Sequence, residues 1–285
     1  MSATSSNVAR EPAIDVTDVG QSADQALRRR NTFLTIVSFV SMLAVWTGLT
    51  GIGPIPPLVL PAFLPSPIAV LTTFVKLAEN GYQGYTLWQH FMISMWRFGA
   101  AFLFCVVVGI PVGLLMGMNS AMRALLDPPI EITRPIPKLA LLPLFIIWFG
   151  IGELAKVIVI IAALFPLISI SAMQAVRGVS RRKIQAAQAL GASQLTIFRR
   201  VLLPASLPGI FTGIRVSVGI GVTMLVGAEM VATSNGIAWM ALTAADFIQT
   251  DIVLVGVLIM ALVGYLLDAF FRWLETRVVH WSGRE

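Results

Sequence analysis

Two ionisable residues, Arg97 and Glu229, lie inside apolar stretches that are long enough to cross a membrane. A charge at that depth is costly unless it meets water, a partner or a ligand, so such residues often mark functional sites. The carboxylate could bind a cationic group of a ligand, while the guanidinium, or N–H groups at a broken helix end, could bind an anionic group. Alternatively, Glu229 only pairs with a basic side chain or backbone donors of a neighbouring helix. The sequence leaves both interpretations open.

The chain lacks the residue patterns of nucleotide hydrolysis and of metal binding. No Gly-x-x-x-x-Gly-Lys-Ser/Thr phosphate loop occurs, and no lysine follows a glycine. His90 and His280 are far apart and have no carboxylate or cysteine at ligand spacing, so we predict that both are interfacial residues. Cys105, the single cysteine, is interpreted as a packing residue. The sequence therefore predicts no catalytic residue, no metal site and no cofactor bound by this chain.

The composition is that of an integral membrane protein. Of 285 residues, 57% are hydrophobic and only 12% are charged, and the mean hydropathy is +0.85; soluble domains are about 45–50% apolar. The net charge of +6 could suggest a nucleic-acid partner. The arginines, however, lie at the ends of apolar segments, where they act as orientation signals. We therefore expect a lipid bilayer and no nucleic acid as the surroundings of this chain.

Apolar segments of about 20 residues predict an all-α fold with about six transmembrane helices. The segments are residues 32–51, 87–116, 128–149, 156–176, 209–231 and 252–271. A polar stretch precedes them, so we divide the chain into a flexible cytoplasmic tail, residues 1–30, and a transmembrane domain, residues 31–285. The distribution of basic residues places both termini in the cytoplasm. A cleaved signal peptide is the alternative for the first segment, but no small-residue cleavage pattern closes it.

Three further stretches are too short or too rich in proline to cross a membrane. Residues 53–67 contain six prolines and are predicted to be extended on the outer face. Residues 68–77 have one apolar face and are predicted to form a short interfacial helix. Residues 237–247 are predicted to form a short outer or re-entrant helix.

The third apolar segment, residues 128–149, is the least regular because five prolines interrupt it. Irregular backbone at membrane depth is tolerated where it is packed in protein or lines a wet cavity. We therefore expect this segment to face a water-filled pathway or a second copy of the chain, with Arg134 as a candidate residue of that pathway. The alternative is that the prolines delay the helix until Leu139 and leave Arg134 as an inner anchor.

A polar and basic island, residues 185–204, separates the fourth and fifth apolar segments and has a helical pattern. Gly191 can end a first helix at low cost, and Ser193 can serve as the N-cap of a second. The apolar positions on the two helices are Ile184, Ala187 and Leu190, and then Leu195, Phe198 and Leu202. The pattern predicts two short helices with a bend, which project a small hydrophobic knob with a basic surround into the cytoplasm. The alternative is a connector that packs on its own bundle.

This island resembles the cytoplasmic Glu-Ala-Ala loop of permease subunits in ATP-binding-cassette (ABC) importers. The pattern is Glu-Ala-Ala, three residues, Gly, nine residues, an aliphatic residue, one residue and Leu-Pro. The matching positions are Ala186, Ala187, Gly191, Val201, Leu203 and Pro204, and Gln185 stands where the pattern has Glu. The resemblance implies that residues 181–208 form a coupling loop that docks into a separate ATPase subunit. Ser193, Leu195 and Phe198 belong to the same loop.

Several other stretches resemble the nitrate/sulfonate/taurine branch of these permeases. They are Leu-Trp-Gln-His at 87–90, Gly-Ile-Pro-Val-Gly at 109–113, Leu-Asp-Pro at 126–128, Arg-Pro-Ile-Pro at 134–137, Trp-Phe-Gly-Ile-Gly-Glu at 148–153 and His-Trp-Ser-Gly at 280–283. The resemblance implies a type I ABC importer permease in the bacterial inner membrane. It also implies that the substrate is a small sulfonate, with taurine first and alkanesulfonate, nitrate, bicarbonate or pyrimidine as alternatives.

The resemblance further implies a set of partners. They are a second copy of this chain, two ATPase subunits that bind ATP and Mg²⁺, and a periplasmic or lipid-anchored substrate-binding protein. An ATP-independent secondary transporter or channel is the alternative class. It would require charged pairs such as Arg97 and Glu229 inside the membrane, but no inverted repeat is evident and the loop would have no role. A membrane-embedded enzyme is a third class, for which the sequence offers no nucleophile and base.

Overall fold

The computed structural model describes residues 16–51, 56–231 and 233–281, with side chains from residue 29 onward. In these ranges the regular secondary structure is helical, and one isolated β-bridge joins Tyr82 to Tyr85. The α-helices are α1 (Val16–Thr50), α2 (Pro67–Asn80), α3 (Leu87–Phe104), α4 (Ile110–Met118), α5 (Ser120–Thr133), α6 (Leu142–Phe149), α7 (Glu153–Arg177), α8 (Arg181–Ala189), α9 (Gln194–Ile197), α10 (Leu203–Glu229), α11 (Ile237–Asp246) and α12 (Thr250–Val278). Two π-helical turns, Cys105–Gly109 and Phe198–Leu202, and a 3₁₀ turn, Lys138–Leu141, join successive helices. The all-α prediction is confirmed.

The chain divides into two compact units, residues 1–67 and 68–285. In the first unit, α1 begins at Val16, whereas the sequence predicted an irregular tail over residues 1–30. Residues 16–30 contain several good helix formers, and extension of an existing helix needs no new nucleation. Residues 1–15 of the predicted tail lie outside the described part of the chain. In the same unit, residues 56–66 form no helix, as their prolines predicted.

Five helical segments of the described chain are long and apolar enough to cross a membrane, or six if the bent pair α5 and α6 counts as one span. This confirms the predicted number of about six. The five segments are Arg29–Thr50, Leu87–Met118, Glu153–Arg177, Gln194–Glu229 and Thr250–Val278. The two short helices predicted from the sequence are present as α2, with 14 residues, and α11, with 10 residues.

The third span is interrupted, but the interruption does not lie at its first two prolines, Pro128 and Pro129. Pro128 and Pro129 lie inside α5, which begins at Ser120. The helices α5 and α6 are bent by 88° relative to each other across residues 134–137. The alternative in which the prolines delay the helix until Leu139 is correct for the second helical stretch, which begins at Lys138, but it missed α5 before the break. The prolines at the break both lack an N–H donor, so the helical hydrogen bonds end there.

Lys138 compensates for part of the broken backbone. Its Nζ donates hydrogen bonds to the carbonyl oxygens of Thr133 and, at 3.1 Å, Ile136. The Thr133 oxygen also accepts the N–H of Ile136 at 3.3 Å, so Lys138 adds a second donor there. The break borders an apolar cavity of about 470 Å³ whose walls include Phe145 and Phe165.

Helices α7 and α10 run antiparallel and form the most extensive helix pair of the second unit. The 25 residues of α7 extend for about 37 Å at 1.5 Å per residue. Val159, Ile160 and Leu164 of α7 are fully buried. A Cβ built at Gly213 of α10 would lie 2.3 Å from the Cβ of Ser171, so this glycine permits the close approach of the two helices.

Helix α9 continues into α10, which the sequence did not predict. The π-helical turn Phe198–Leu202 joins them, and together the segment Gln194–Glu229 contains 36 residues. A π-helical turn changes the hydrogen-bonding register, and here it precedes Pro204, which has no N–H to donate to the preceding turn. The fifth span therefore begins at the bend of the loop rather than at residue 209.

Candidate functional site

Helices α8 and α9 meet in a tight bend at Gly191. Gly191 has a φ of +75°, a conformation that glycine adopts at low cost. The N–H of Ala192 donates to the carbonyl oxygen of Ala187 at 3.1 Å and closes the last turn of α8. Ser193 then caps α9, because its Oγ accepts a hydrogen bond from the N–H of Thr196 at 3.3 Å. The predicted bend at Gly191 and the predicted cap at Ser193 are both confirmed.

The bend carries two exposed leucines, Leu190 and Leu195, with 88% and 57% of their surface exposed. Gln185 and Ala186 are also exposed, whereas Ala187, Phe198, Leu203 and Pro204 are half-buried. Exposed basic residues surround the leucines: Arg181, Arg182, Lys183, Arg199 and Arg200. Large apolar side chains on an otherwise polar loop are typical of a contact with another protein. We refer to Leu190 and Leu195 as the loop knob.

At the opposite end of the α7–α10 pair, the guanidinium of Arg97 is completely buried. Its Nε and Nη2 donate to the two carboxylate oxygens of Glu153 at 2.5 and 2.8 Å. Its Nη1 donates to Oε1 of Glu229 at 2.8 Å and to the carbonyl oxygen of Asn235 at 3.0 Å. Nη2 also donates to the side-chain oxygen of Asn235 at 2.6 Å. All five N–H groups of the guanidinium thus have an acceptor, which is the condition for burying such a charge.

Arg97 belongs to a group of four charged residues whose positive and negative charges are equal in number. Lys156 is buried, and its Nζ lies 3.2 Å from Oε1 of Glu153. Two cations, Arg97 and Lys156, therefore face two carboxylates, Glu153 and Glu229. About half of the Glu153 side chain is exposed, whereas those of Arg97 and Glu229 are not exposed at all. We refer to these four residues, with Ser94 and Asn235, as the polar cluster.

His90 and two members of the polar cluster, Ser94 and Glu229, cap the N-terminus of α11. The hydrogen bonds run from the N–H of Gly236 to Nδ1 of His90 at 3.1 Å, from that of Ile237 to Oγ of Ser94 at 2.9 Å, and from that of Ala238 to Oε2 of Glu229 at 3.0 Å. A carboxylate is favoured at a helix N-terminus, where free N–H groups and the helix dipole attract negative charge. Oε1 of Glu229 also accepts from Oγ of Ser94 at 2.7 Å. Both oxygens of Glu229 are therefore used inside the bundle.

His90 is not the interfacial residue that the sequence predicted, because it is fully buried. Its ring stacks on Trp239 with 5.8 Å between centroids, and its Nε2 lies 3.2 Å from the carbonyl oxygen of Tyr82. Since Nδ1 accepts the N–H of Gly236, Nε2 must carry the proton. His90 is thus a structural residue. In the described part of the chain, no group of three or more His, Cys, Asp or Glu residues could hold a metal ion.

The structure brings together two of the three residues predicted for a substrate path. Arg97 and Glu229 form an ion pair, whereas Arg134 pairs with Glu131 at 2.9 Å on the same helical stretch, and both of those side chains are about half-exposed. Sequence reasoning missed four members of the polar cluster, Ser94, Glu153, Lys156 and Asn235. Each is a polar residue in or beside an apolar segment, and that was the only available signal. Their separation in the chain concealed the contact.

Residues 109–280 match the family described as the binding-protein-dependent transport system inner membrane component. The chain belongs to this family. The matched region contains the bend at Gly191 as well as Glu153 and Glu229, and it begins after Arg97. The permease is therefore a multi-span component of an inner-membrane transport system.

Two relatives indicate the branch of permeases to which this chain is similar. The permease is 40% identical over 255 residues to the taurine transport system permease protein TauC of Escherichia coli strain K12, with 89% of this chain and 91% of that protein covered. It is 36% identical over 241 residues to the putative aliphatic sulfonates transport permease protein SsuC of Bacillus subtilis strain 168, with 84% of each covered. Both confirm the resemblance to the sulfonate and taurine branch of ABC importer permeases.

A solved structure supports the fold. A chain of the MetNI methionine ABC transporter, in an inward-facing conformation, is similar with a TM-score of 0.52 and 22% identity. The similarity covers 64% of the permease and 92% of that chain. Together with the family match, it confirms the type I ABC importer permease fold predicted from the sequence.

Proposed function

We propose that this permease forms the translocation path for a small sulfonate, with taurine as the first candidate, in a bacterial ABC importer. The higher of the two identities is to the taurine permease TauC, and the second relative is named for aliphatic sulfonates. Alkanesulfonates are therefore the second candidate. Nitrate, bicarbonate and pyrimidine have less support from these relatives.

The observation that supports an ATPase-driven importer is the shape of the loop. The loop knob projects two exposed leucines from a bend that Gly191 and Ser193 define, and basic residues surround it. A compact apolar projection of this kind fits a groove on another protein, and burial of one leucine contributes about 1.5–3 kcal/mol. We infer that the groove belongs to a cytoplasmic ATPase subunit and that residues 181–208 couple the two proteins.

The continuity of α9 and α10 supports a coupling mechanism. No loop separates the bend from the fifth span, because the π-helical turn keeps the segment Gln194–Glu229 helical. A displacement of the loop knob by the ATPase would therefore move α10 as one body. Since α10 ends at Glu229 in the polar cluster, the movement would reach the opposite end of the bundle, where the substrate enters.

The complete importer contains partners beyond this chain. We expect two copies of the permease, two ATPase subunits on the cytoplasmic side and a periplasmic or lipid-anchored binding protein on the outer side. The ATPase subunits would hold ATP and Mg²⁺, and the permease would bind no cofactor. Both termini would lie in the cytoplasm.

The geometry supports the structural interpretation of Arg97 and Glu229 over a ligand-binding role. Every N–H of the guanidinium and both oxygens of Glu229 already have partners within the bundle. A ligand would have to replace these bonds at the cost of leaving a buried charge unpaired. Arg134 is partly exposed beside the break of the third span and stays a predicted residue of the path.

Reconstitution tests the proposal. The permease, its ATPase and its binding protein are placed in proteoliposomes, and taurine uptake is measured with and without ATP on the ATPase side. We expect uptake only with ATP, whereas ATP-independent uptake would favour the secondary transporter.

Two matched variants test whether the loop knob binds the ATPase subunit. Leu190→Ser should weaken co-purification of the ATPase by roughly tenfold or more, since one buried leucine contributes about 1.5–3 kcal/mol. Leu154→Ser changes a leucine that is 56% exposed at the polar-cluster end, and it should have no effect on co-purification. Equal effects of the two changes would contradict the docking role of the loop knob.

A further inference from the structure

The exposed faces of α10 and α12 differ in their chemistry. Helix α12 exposes large aliphatic side chains: Val257, Leu258, Leu262 and Leu266. Helix α10 exposes glycine and hydroxyl residues, Gly209, Thr212, Gly219 and Thr223, next to Val216 and Ile220. Large aliphatic groups suit lipid chains, whereas polar groups at membrane depth occur where a helix faces protein or water. The face of α10 is therefore expected to border something other than lipid.

A groove of about 310 Å³ opens on this face between α7 and α10. The residues that line it are Ser171, Gln174 and Ala175 of α7 and Gly209, Thr212, Gly213 and Val216 of α10. The volume equals that of about ten water molecules at ~30 Å³ each, which is enough for one small organic anion. Ser171 lies six residues before the end of α7, so the groove reaches about 9 Å into the span.

Two side chains that line the groove have unused hydrogen-bonding groups. The amide of Gln174 and the hydroxyl of Ser171 have no partner among the described residues. The hydroxyl of Thr212, in contrast, donates to the carbonyl oxygen of Pro208 at 3.0 Å. The Gln174 amide supplies two N–H donors and the Ser171 hydroxyl supplies one O–H donor. Ser171 is half-buried and Gln174 is exposed, so water or a ligand in the groove can accept these hydrogen bonds.

The cation nearest along α10 is not available for an anion. Nε of Arg215 donates to Asp268 at 3.0 Å, and its Nη1 donates to Glu275 at 3.4 Å. The guanidinium is thus neutralised by two carboxylates of α12. Arg215 therefore does not hold an anion in the groove. The proposed contacts are the neutral donors of Ser171 and Gln174, whose weak binding suits transport, since a substrate must also leave.

We propose that Ser171 and Gln174, in the groove between α7 and α10, form a sulfonate-binding subsite of the translocation path. The three donors match the three acceptor oxygens of a sulfonate group. The subsite rests on the proposed function of the chain as a sulfonate permease. The subsite extends that function by naming the residues that would contact the anionic group of the substrate.

Uptake kinetics test the subsite in the reconstituted importer. Gln174→Leu removes both amide donors and should raise the KM for taurine about tenfold, because a hydrogen bond to a charged group is worth about 1.5–3 kcal/mol. Gln174→Glu keeps the shape but replaces donors with a negative charge, so it should raise the KM further. Gln174→Asn retains the donors and should recover part of the wild-type uptake.

Cysteine labelling provides a second measurement that does not depend on transport. In a Cys105→Ser background, Gln174→Cys should react with a small polar thiol reagent about tenfold faster than Leu262→Cys, because the thiolate forms only in water. Leu262 is 56% exposed on the aliphatic face of α12, which makes it the matched control. Taurine should slow the reaction at Gln174→Cys only.

The outcomes separate the subsite from the proposed function. If the wild-type importer takes up no sulfonate, the proposed function is wrong. If it takes up taurine while Gln174→Leu keeps the wild-type KM, or taurine gives Gln174→Cys no protection, the subsite is wrong. Labelling of Gln174→Cys as slow as that of Leu262→Cys would show a lipid-facing or packed surface and would also overturn it.

Discussion

The guanidinium of Arg97 and the carboxylate of Glu229, 132 residues apart in the chain, form an ion pair of 2.8 Å in which neither side chain is exposed. Arg97 projects from α3, and Glu229 is the last residue of α10. The pair therefore fixes the end of the helix that begins at the coupling loop. Glu229 also caps α11, so one carboxylate joins three helices.

We expect Glu229→Gln to destabilise the permease. The change leaves two cations, Arg97 and Lys156, with the single carboxylate of Glu153, and loss of one partner from a buried ion pair costs about 3–5 kcal/mol. The measurement is the thermal unfolding temperature of the purified permease, together with taurine uptake. A variant that is stable and assembled, but has lost uptake, would instead assign Glu229 to the substrate.

Gly236→Ala should also lower the unfolding temperature. The φ of Gly236 is +119°, and a Cβ there would lie 2.4 Å from the carboxylate of Glu229. The strained backbone alone costs about 1–3 kcal/mol, and the collision would disturb the cap of α11. Gly264→Ala on α12 is the control, since a Cβ at that position meets no atom within 4 Å. Similar unfolding temperatures for both variants would contradict this account of the polar cluster.

Gly191→Val should uncouple ATP hydrolysis from transport. A β-branched residue resists the φ of +75° at this bend, although nothing within 4 Å would collide with the added Cβ. Taurine uptake and substrate-stimulated ATP hydrolysis in proteoliposomes should fall together while the chain still inserts. Gly191→Asn tolerates the left-handed conformation and should retain most of both activities. Normal coupling in the valine variant would remove the docking role of the bend.

The orientation of the loop can be measured with a single thiol. Ser193→Cys, in the Cys105→Ser background, places a reactive group on the exposed side of the bend. Loss of the helix cap costs about 1 kcal/mol, which the chain should tolerate. An impermeant thiol reagent should label it in inside-out vesicles and not in intact cells. Labelling from the outside would reverse the predicted topology.

The sequence by itself determined the class of protein, the number of spans and the shape of the coupling loop. These depend on neighbours within a few positions: the length of an apolar run decides whether it crosses a bilayer. In the same way, Gly191 and Ser193 specify a bend and a cap through their own backbone and side-chain chemistry. The local pattern therefore predicted α8 and the start of α9 correctly.

The tertiary structure alone decided which polar residues meet. Arg97 and Glu229 were recognised as unusual, but their partners Ser94, Glu153 and Asn235 come from different parts of the chain and share no local spacing. The burial of His90 was missed for the same reason. Which faces of two helices touch depends on close approach at positions such as Gly213 and on the angle between helices, such as the 88° bend between α5 and α6. Those quantities arise from packing over the whole bundle, so no short stretch of sequence contains them.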